Sequence, residues 1–147
     1  MIKAVFDTNT FVSAMLQPKG TPARLLEMAM TADDCPFELY ISGQIIDEIG
    51  RVLSYPRIKK KYNLSDDRIN VFLGLIIEAC KDIGYVSELF IVTADPDDSY
   101  IVSTALACDA EYLVSGDKAH VLPLKKVENT QIITVREFGA LVAEAKL

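Results

Sequence analysis

The sequence predicts an α/β protein with a central parallel sheet covered by helices on both faces. Short apolar segments rich in β-branched residues alternate with segments in which apolar residues recur at helical spacing. Most positions in the strand segments are apolar, which is typical of parallel strands buried on both faces and joined by right-handed crossovers. With 147 residues, half of them hydrophobic, the chain is long enough for a single folded domain, residues 1–147, that needs no disulfides.

Six segments in the first half of the chain have strand or helix periodicity. Pro18 and Pro56 follow helical segments and should end them. Thr21, followed by a proline at a first helical position, should cap one helix, and Ser65 should cap another. The predicted elements are a strand at Ile2–Phe6, a helix at 9–16, a helix from Thr21, a strand at 38–41, a helix at 45–53 and a helix from Ser65 whose apolar stripe runs to Cys80.

The second half contains three further strand segments and two helices. The acidic turn at 95–98 (DPDD) suits a helix start, because proline and aspartate are favoured in a first turn. Thr134 and Glu137 have the spacing of a capping box, which predicts a terminal helix. The predicted elements are strands at 90–93, Tyr112–Val114 and 131–134, a helix from 95–98, and a helix after Thr134.

Four acidic residues stand where strands end or on the helices that follow them: Asp7, Glu48, Asp98 and Asp117. The carboxyl ends of parallel strands meet at one edge of a sheet, and ligands bind there. Two carboxylates about 4 Å apart repel by roughly 4 kcal/mol at an effective dielectric constant near ~20, so a cluster of four calls for a cation or raised pKa values. Carboxylate oxygens suit Mg²⁺ or Mn²⁺. The pattern therefore predicts a metal-dependent enzyme of the kind that hydrolyses phosphoesters.

Each acid also has an ordinary structural explanation, which the sequence leaves open. Asp7 could cap the helix that follows it, and Asp117 could serve the turn after Gly116. Glu48 could face solvent from the edge of an apolar helix stripe. Helix capping could account for one or two of the acids at 95–98.

The charge balance is acidic, with 21 Asp and Glu against 15 Lys and Arg and a net charge of −6. This argues against binding of nucleic acid by the whole surface, although bound metal would neutralise part of the negative charge. Local basic residues could contact phosphates or form an ordinary solvated surface. They are Arg57, Lys59, Lys60 and Lys61 beside Tyr62, and a looser group of Lys118, Lys125 and Lys126.

The rest of the composition favours a cytoplasmic protein without a membrane anchor. The three cysteines are far apart and form no CxxC pair, so we expect small, mostly buried thiols in a reducing compartment rather than a disulfide or zinc framework. The first apolar run is short and ends at Asp7, unlike a signal peptide, and no run approaches the ~20 apolar residues that span a bilayer.

Five segments, in their order and spacing, resemble the PIN-domain family, and the likeness extends over nearly the whole chain. The segments are 5–14 (VFDTNTFVSA), the helix 42–53 with Glu48, 95–98 (DPDD) followed by Ala105 and Leu106, 112–118 (YLVSGDK), and 134–138 (TVREF). The last is similar to the closing segment of the VapC-like toxin subgroup. The resemblance implies an α/β/α sandwich around a parallel sheet of strand order 3-2-1-4-5.

The resemblance also implies a metal-dependent endoribonuclease that uses Mg²⁺ or Mn²⁺. Because the acids come without a nucleophilic Ser/His or Cys/His set, we expect one or two ions to activate a water that cleaves RNA and leaves 5′-phosphate and 3′-hydroxyl ends. By position, the catalytic acids and metal ligands would be Asp7, Glu48, Asp98 and Asp117. Asp98 is preferred to Asp97 because it enters the helix three residues after Asp95, and Asp97 would then point elsewhere, as an N-cap. The supporting residues would be Asn9, Asp95 and Ser115.

The resemblance further implies partners. The RNA backbone would be held by Lys118 or by the cluster containing Arg57, Lys59 and Lys60. Toxins of this subgroup are often homodimers that a small antitoxin keeps silent, so a second copy and an antitoxin are expected.

One departure from the family pattern concerns the residues after Asp117. Many relatives carry a further acid at the position of Ala119, so the number of metal ions stays open. His120 follows and could contact a phosphate or be an ordinary surface residue. The alternative function is a catalytically inactive PIN-fold module that binds RNA or protein. A phosphoacceptor receiver would need an acid pair after the first strand, and a dehalogenase-type phosphatase would need D-x-D, whereas this chain has Asp7-Thr8-Asn9.

Overall fold

The computed structural model describes residues 1–92 and 95–145. The strands are β1 (Ile2–Phe6), β2 (Phe37–Ile41), β3 (Cys80–Asp82), β4 (Tyr112–Val114), β5 (Lys126–Val127) and β6 (Thr130–Ile133). The helices are α1 (Thr8–Leu16), α2 (Thr21–Thr31), α3 (Gly43–Leu53), α4 (Pro56–Tyr62), α5 (Asp66–Ala79), α6 (Pro96–Ala107) and α7 (Val135–Ala145), with a short 3-10 helix at Leu122–Leu124.

A six-stranded sheet of order β3-β2-β1-β4-β6-β5 lies at the centre of the described part of the chain. β1 pairs in parallel with β2 and β4, β2 with β3, and β4 with β6. The five parallel strands thus have the expected order 3-2-1-4-5, and the α/β/α prediction is confirmed. The two-residue β5, antiparallel to β6 at the edge, is an element that the sequence pattern does not predict.

The third strand differs from the prediction. The pattern predicts a strand at 90–93, but residues 90–92 form none, and Thr93 lies outside the described residues. The strand beside β2 is β3, which the pattern assigns to the end of the preceding helix. β3 is an edge strand with exposed charged residues, and Lys81 forms a 2.7 Å ion pair with Glu38 of β2. Such a strand is held by backbone pairing on one side, so its side chains give little strand signal.

Most predicted helix starts are confirmed, because their caps depend on local chemistry. The Ser65 hydroxyl accepts the N–H of Arg68 at the start of α5. Thr134 and Glu137 form the expected capping box, with contacts of 3.0–3.1 Å in both directions. The cap of α2 is Gly20, so the prediction that Thr21 is the N-cap is wrong.

An aromatic cluster joins the sheet to α7. The Phe138 ring lies 5.7 Å from Phe6, 5.2 Å from Phe37 and 6.2 Å from Tyr112, measured between ring centroids. Phe6, Phe37 and Phe138 are almost fully buried, and edge-to-face packing adds to the hydrophobic contribution of such rings. Because Phe6 directly precedes Asp7, this packing fixes the backbone next to the first predicted site residue.

The structure bears on two predictions made from composition. All three cysteines are free thiols, but Cys80 is buried while Cys35 and Cys108 are partly exposed, so fewer are buried than expected. Cys80 is buried, and burial raises the pKa of its thiol to about 12, so it is an unreactive packing residue. Over the described ranges, none of the helices has the length and apolar character needed to cross a bilayer.

Candidate metal centre

The carboxyl ends of the three central strands bring the candidate residues to one edge of the sheet. Asp7 follows β1, Ser42 follows β2 and Ser115 follows β4. Phe6 is in register with Val114, and the Asp7 N–H donates to the Val114 carbonyl at 3.0 Å. Residues from the two ends of the sequence therefore lie side by side.

Asp7 is almost fully buried, and all its hydrogen-bonding capacity is used. Oδ1 accepts from the N–H and the hydroxyl of Thr10, at 2.8 and 2.6 Å. Oδ2 accepts from the Ser115 hydroxyl at 2.7 Å and the Gly116 N–H at 3.3 Å. A carboxylate has about four lone-pair sites, so Asp7 could ligate an ion only by releasing a donor, of which Gly116 is the most distant. The cap of α1, one explanation that the sequence leaves open, is therefore present.

Ser115 connects Asp7 to Asp117. Its hydroxyl donates to Asp7 and accepts the N–H of Asp117 at 3.1 Å. Asp117 Oδ1 in turn accepts the N–H groups of Ala119 and His120, each at 3.0 Å. Asp117 is thus also a turn residue, and the turn leaves its other oxygen, Oδ2, directed towards neighbouring acidic and imidazole groups.

Asp98, Asp117 and His120 form the one described group of three or more potential ligands whose atoms all lie within 4.8 Å of one another. His120 Nδ1 lies 3.8 Å from Asp98 Oδ2 and 3.6 Å from Asp117 Oδ2. Asp7 and Glu48 are not members of this group. The structure therefore brings two of the four predicted acids to within reach of one ion and links Asp7 to one of them, Asp117, through Ser115.

The three acids at the start of α6 have separate roles. Asp95 is exposed and caps the helix, accepting the N–H of Asp97 at 3.0 Å. Asp97 forms a 3.0 Å ion pair with Arg51 of α3, and Asp98 faces the group with Asp117. The expectation that Asp97 is the N-cap is wrong, because Asp95 occupies that position.

Glu48 is half-buried on α3 and accepts the hydroxyl of Thr8 at 2.8 Å. Burial raises the pKa of its carboxyl, and the nearby charges of Asp97 and Asp7 raise the pKa further. The Thr8 hydrogen bond and Arg51 act in the opposite direction. Glu48 is therefore held beside the first turn of α1, where it interacts electrostatically with Asp7.

Glu48→Gln is expected to raise the thermal midpoint of the metal-free protein by about 2 °C near pH 7, and by less near pH 4. The raised pKa means that the folded protein binds more protons than the unfolded chain between the ordinary and the raised value. The free energy of unfolding therefore falls as pH rises through that window. Glutamine removes the charge and keeps an acceptor for Thr8.

Thermal melts at the two pH values, with the exposed Glu144→Gln as a control, would check this expectation. A midpoint that falls in Glu48→Gln, or one that shifts equally at both pH values, would contradict it.

The remaining predicted site residues lie in three places. Asn9 is exposed in the first turn of α1, and Lys118 is exposed next to Asp117. Arg57, Lys59 and Lys60 lie on α4, where the Lys59 ammonium is already paired with Asp66 at 2.6 Å. Their contact with RNA stays a prediction.

The sequence pattern indicates the position of His120 only weakly, and the contacts of Thr8 and Arg51 are not predicted from it. The signal for His120 is its position three residues after Asp117 in a turn, which places both side chains on one side. The signal for Arg51 is its position three residues after Glu48, one helical turn away. No local pattern indicates that Thr8 contacts the site, because its hydrogen bond to Glu48 joins residues that lie 40 positions apart in the chain.

Comparisons with known proteins agree with the fold. A family model described as PIN domain matches residues 3–119. An uncharacterized protein from Methanocaldococcus jannaschii is 31% identical over 117 residues, which is 80% of this chain and 72% of the relative. The structure is similar to a chain of VapBC2 from Rickettsia felis, whose crystal structure contains a DNA fragment from their promoter, with a TM-score of 0.62 and 17% identity over 90% of this chain and 98% of that chain.

Proposed function

We propose that this chain, which belongs to the PIN-domain family, is a metal-dependent endoribonuclease. The observation that supports this most is the approach of Asp98, in the first turn of α6, to Asp117, which follows β4, at the carboxyl edge of the sheet. Like charges at such distances repel unless a cation compensates them. Carboxylate oxygens suit Mg²⁺ or Mn²⁺, so the residues present fit the metal that the family implies.

In this proposal Asp98 and Asp117 hold the ion, and Glu48 completes the site from α3. Asp7 holds Ser115 and the turn that carries Asp117, and it joins the ion only when a donor such as the Gly116 N–H is released. When bound, a divalent ion neutralises the carboxylates, polarises a phosphoryl oxygen and lowers the pKa of a coordinated water. Thr8 keeps the Glu48 carboxylate in place from α1.

Substrate contacts would come from Lys118 at this edge and from exposed basic residues of α4. Lys118 is exposed beside Asp117 and is placed to contact an RNA phosphate. Arg57 and Lys60, both exposed on α4, would extend the contact along the backbone, with Lys59 less available because of its pairing with Asp66. Hydrolysis by water would leave 5′-phosphate and 3′-hydroxyl ends.

We also propose that the protein is the toxin of a toxin–antitoxin pair. The support is its fold, which is similar to a chain of VapBC2. An antitoxin would have to cover the acidic edge, and basic side chains are suited to that role. We further propose that the chain forms a homodimer, which light scattering on the purified chain can check. A monomer at all concentrations would contradict it.

The nuclease proposal is tested with labelled single-stranded and hairpin RNA and millimolar Mn²⁺ or Mg²⁺. We expect cleavage with metal, none in excess EDTA, recovery when metal is restored, and 5′-phosphate ends. Asp98→Asn protein, purified in parallel, controls for contaminating nucleases.

Equal cleavage in EDTA, or wild-type cleavage by Asp98→Asn, would refute a metal-dependent activity of this site. RNA binding without cleavage of any substrate would favour the catalytically inactive module instead.

A further inference from the structure

His120 occupies a defined position beside two carboxylates of the candidate metal centre. Its Nδ1 lies 3.6 Å from Asp117 Oδ2 and 3.8 Å from Asp98 Oδ2, and the three ligand atoms lie within 4.8 Å of one another. Both distances exceed the usual length of a hydrogen bond. The imidazole therefore faces the two oxygens without a direct hydrogen bond to either at these positions.

Backbone hydrogen bonds fix the turn that carries His120. Asp117 Oδ1 accepts the N–H of His120 itself and that of Ala119, so one oxygen of Asp117 fixes the turn while the other faces the imidazole. The N–H of Leu122 donates to the Asp117 carbonyl at 2.9 Å, which closes the turn beyond His120. These hydrogen bonds fix the backbone of His120 beside Asp117, and none of them involves its imidazole.

We propose that His120 is a direct metal ligand and that its nitrogen makes the centre prefer Mn²⁺ to Mg²⁺. This refines the metal centre of the proposed nuclease and rests on that proposal. Mg²⁺ favours oxygen ligands in a near-ideal octahedron, whereas imidazole is a better ligand for transition metals. Ligands about 2.1 Å from an ion and at right angles lie roughly 3 Å apart, so the distances of 3.6 and 3.8 Å from His120 Nδ1 to the two oxygens would shorten by less than about 1 Å.

The side chain of His120 is 53% exposed, which leaves it free to make a shift of that size. Asp98 and Asp117 are more buried, with side-chain exposures of 19% and 23%, so the imidazole is the part that adjusts. Two carboxylates and one imidazole would leave the remaining positions of an ion for water, Glu48 or a phosphate oxygen.

The test uses the full chain and two measurements that do not depend on activity. Pulsed electron paramagnetic resonance of Mn²⁺-loaded wild-type protein should show coupling to an imidazole ¹⁴N. Isothermal titration calorimetry should show tighter binding of Mn²⁺ than of Mg²⁺, and His120→Gln should weaken Mn²⁺ binding about tenfold or more while changing Mg²⁺ binding much less.

Lys118→Gln is the matched control, because it removes a neighbouring exposed cation from the same turn. It should change the affinity for the two metals equally, since it alters charge and not the ligand set. The ¹⁴N coupling is measured on the wild-type protein, so a folding defect in His120→Gln would not prevent the test.

The outcomes distinguish a failure of this inference from a failure of the proposed nuclease function. The inference is overturned if Mn²⁺ binds without ¹⁴N coupling and His120→Gln binds both metals as tightly as the wild type or more tightly. His120 would then be only a neighbouring side chain of the site, and the proposed nuclease function would stand. If wild-type protein binds neither metal at millimolar concentration, the metal-dependent nuclease itself falls and this inference with it.

Discussion

Asp117→Asn is expected to lower the rate of metal-dependent RNA cleavage at least about 100-fold without disturbing the fold. Oδ1 of Asp117 accepts the N–H groups of Ala119 and His120, and an asparagine carbonyl can accept both. The change is therefore confined to Oδ2, which faces Asp98 and His120. There an amide NH₂ replaces an anionic oxygen and cannot bind a cation.

The measurement is the single-turnover cleavage rate at saturating Mn²⁺, with the thermal midpoint recorded for each variant. Asp67→Asn is the control, since it makes the same chemical change at an exposed position in the first turn of α5. A loss of cleavage together with a native melt would assign Asp117 to the chemistry. A wild-type rate in Asp117→Asn would remove this residue from the site.

The sequence predicted best the features that depend on neighbouring residues. The capping box at Thr134 and Glu137, the cap at Ser65 and the strand at Tyr112–Val114 were expected and are present. Each is specified within a few residues by hydrogen-bonding geometry or by a short apolar run.

The prediction of a third strand at 90–93 is wrong, because a segment can have the composition of a strand while its backbone N–H groups bind side chains instead of a neighbouring strand. The N–H groups of Leu89 and Phe90 donate to the Ser103 hydroxyl at 2.8 and 3.3 Å, and that of Val92 donates to the Ser99 hydroxyl at 2.9 Å. These serines lie on α6, so serine side chains take the place of a neighbouring strand. Only the tertiary contact reveals this, since buried N–H groups need a partner but not one of a particular kind.

The candidate site was predictable in part for a similar reason. The placement of Asp7 and Asp117 follows from topology, because the strands before them are neighbours in a parallel sheet. The position of His120 depends on the conformation of a turn and on the approach of Asp98 from the first turn of α6, neither of which a periodic pattern encodes. The sequence also leaves open whether Asp7 is a helix cap or a metal ligand. Its four hydrogen bonds show that it caps α1 and supports Ser115.

Asp7→Ala is expected to lower the free energy of unfolding by about 3 kcal/mol or more, which corresponds to a fall of roughly 6–12 °C in the thermal midpoint. The substitution removes the cap of α1, worth about 1 kcal/mol. It also removes the carboxylate that accepts the buried hydroxyls of Thr10 and Ser115, although the Thr10 hydroxyl keeps a 3.5 Å contact with the Val114 carbonyl. Each lost hydrogen bond to a charged group costs about 1.5–3 kcal/mol. Removal of a negative charge near Glu48 offsets part of this loss.

Thermal and urea denaturation of Asp7→Ala, Asp7→Asn and Ser65→Ala would separate these contributions. Ser65 is an exposed N-cap of α5, so Ser65→Ala measures a cap alone, at about 1 kcal/mol. Asp7→Asn should fall between the other two, because it keeps an acceptor for Thr10 but turns an amide towards the Gly116 N–H. If Asp7→Ala costs no more than Ser65→Ala, the buried network contributes nothing to stability. If it costs more, a loss of cleavage in an Asp7 variant has two causes, a weakened fold and a changed metal site. The residues that act in catalysis must then be identified from variants of Asp117 and Asp98.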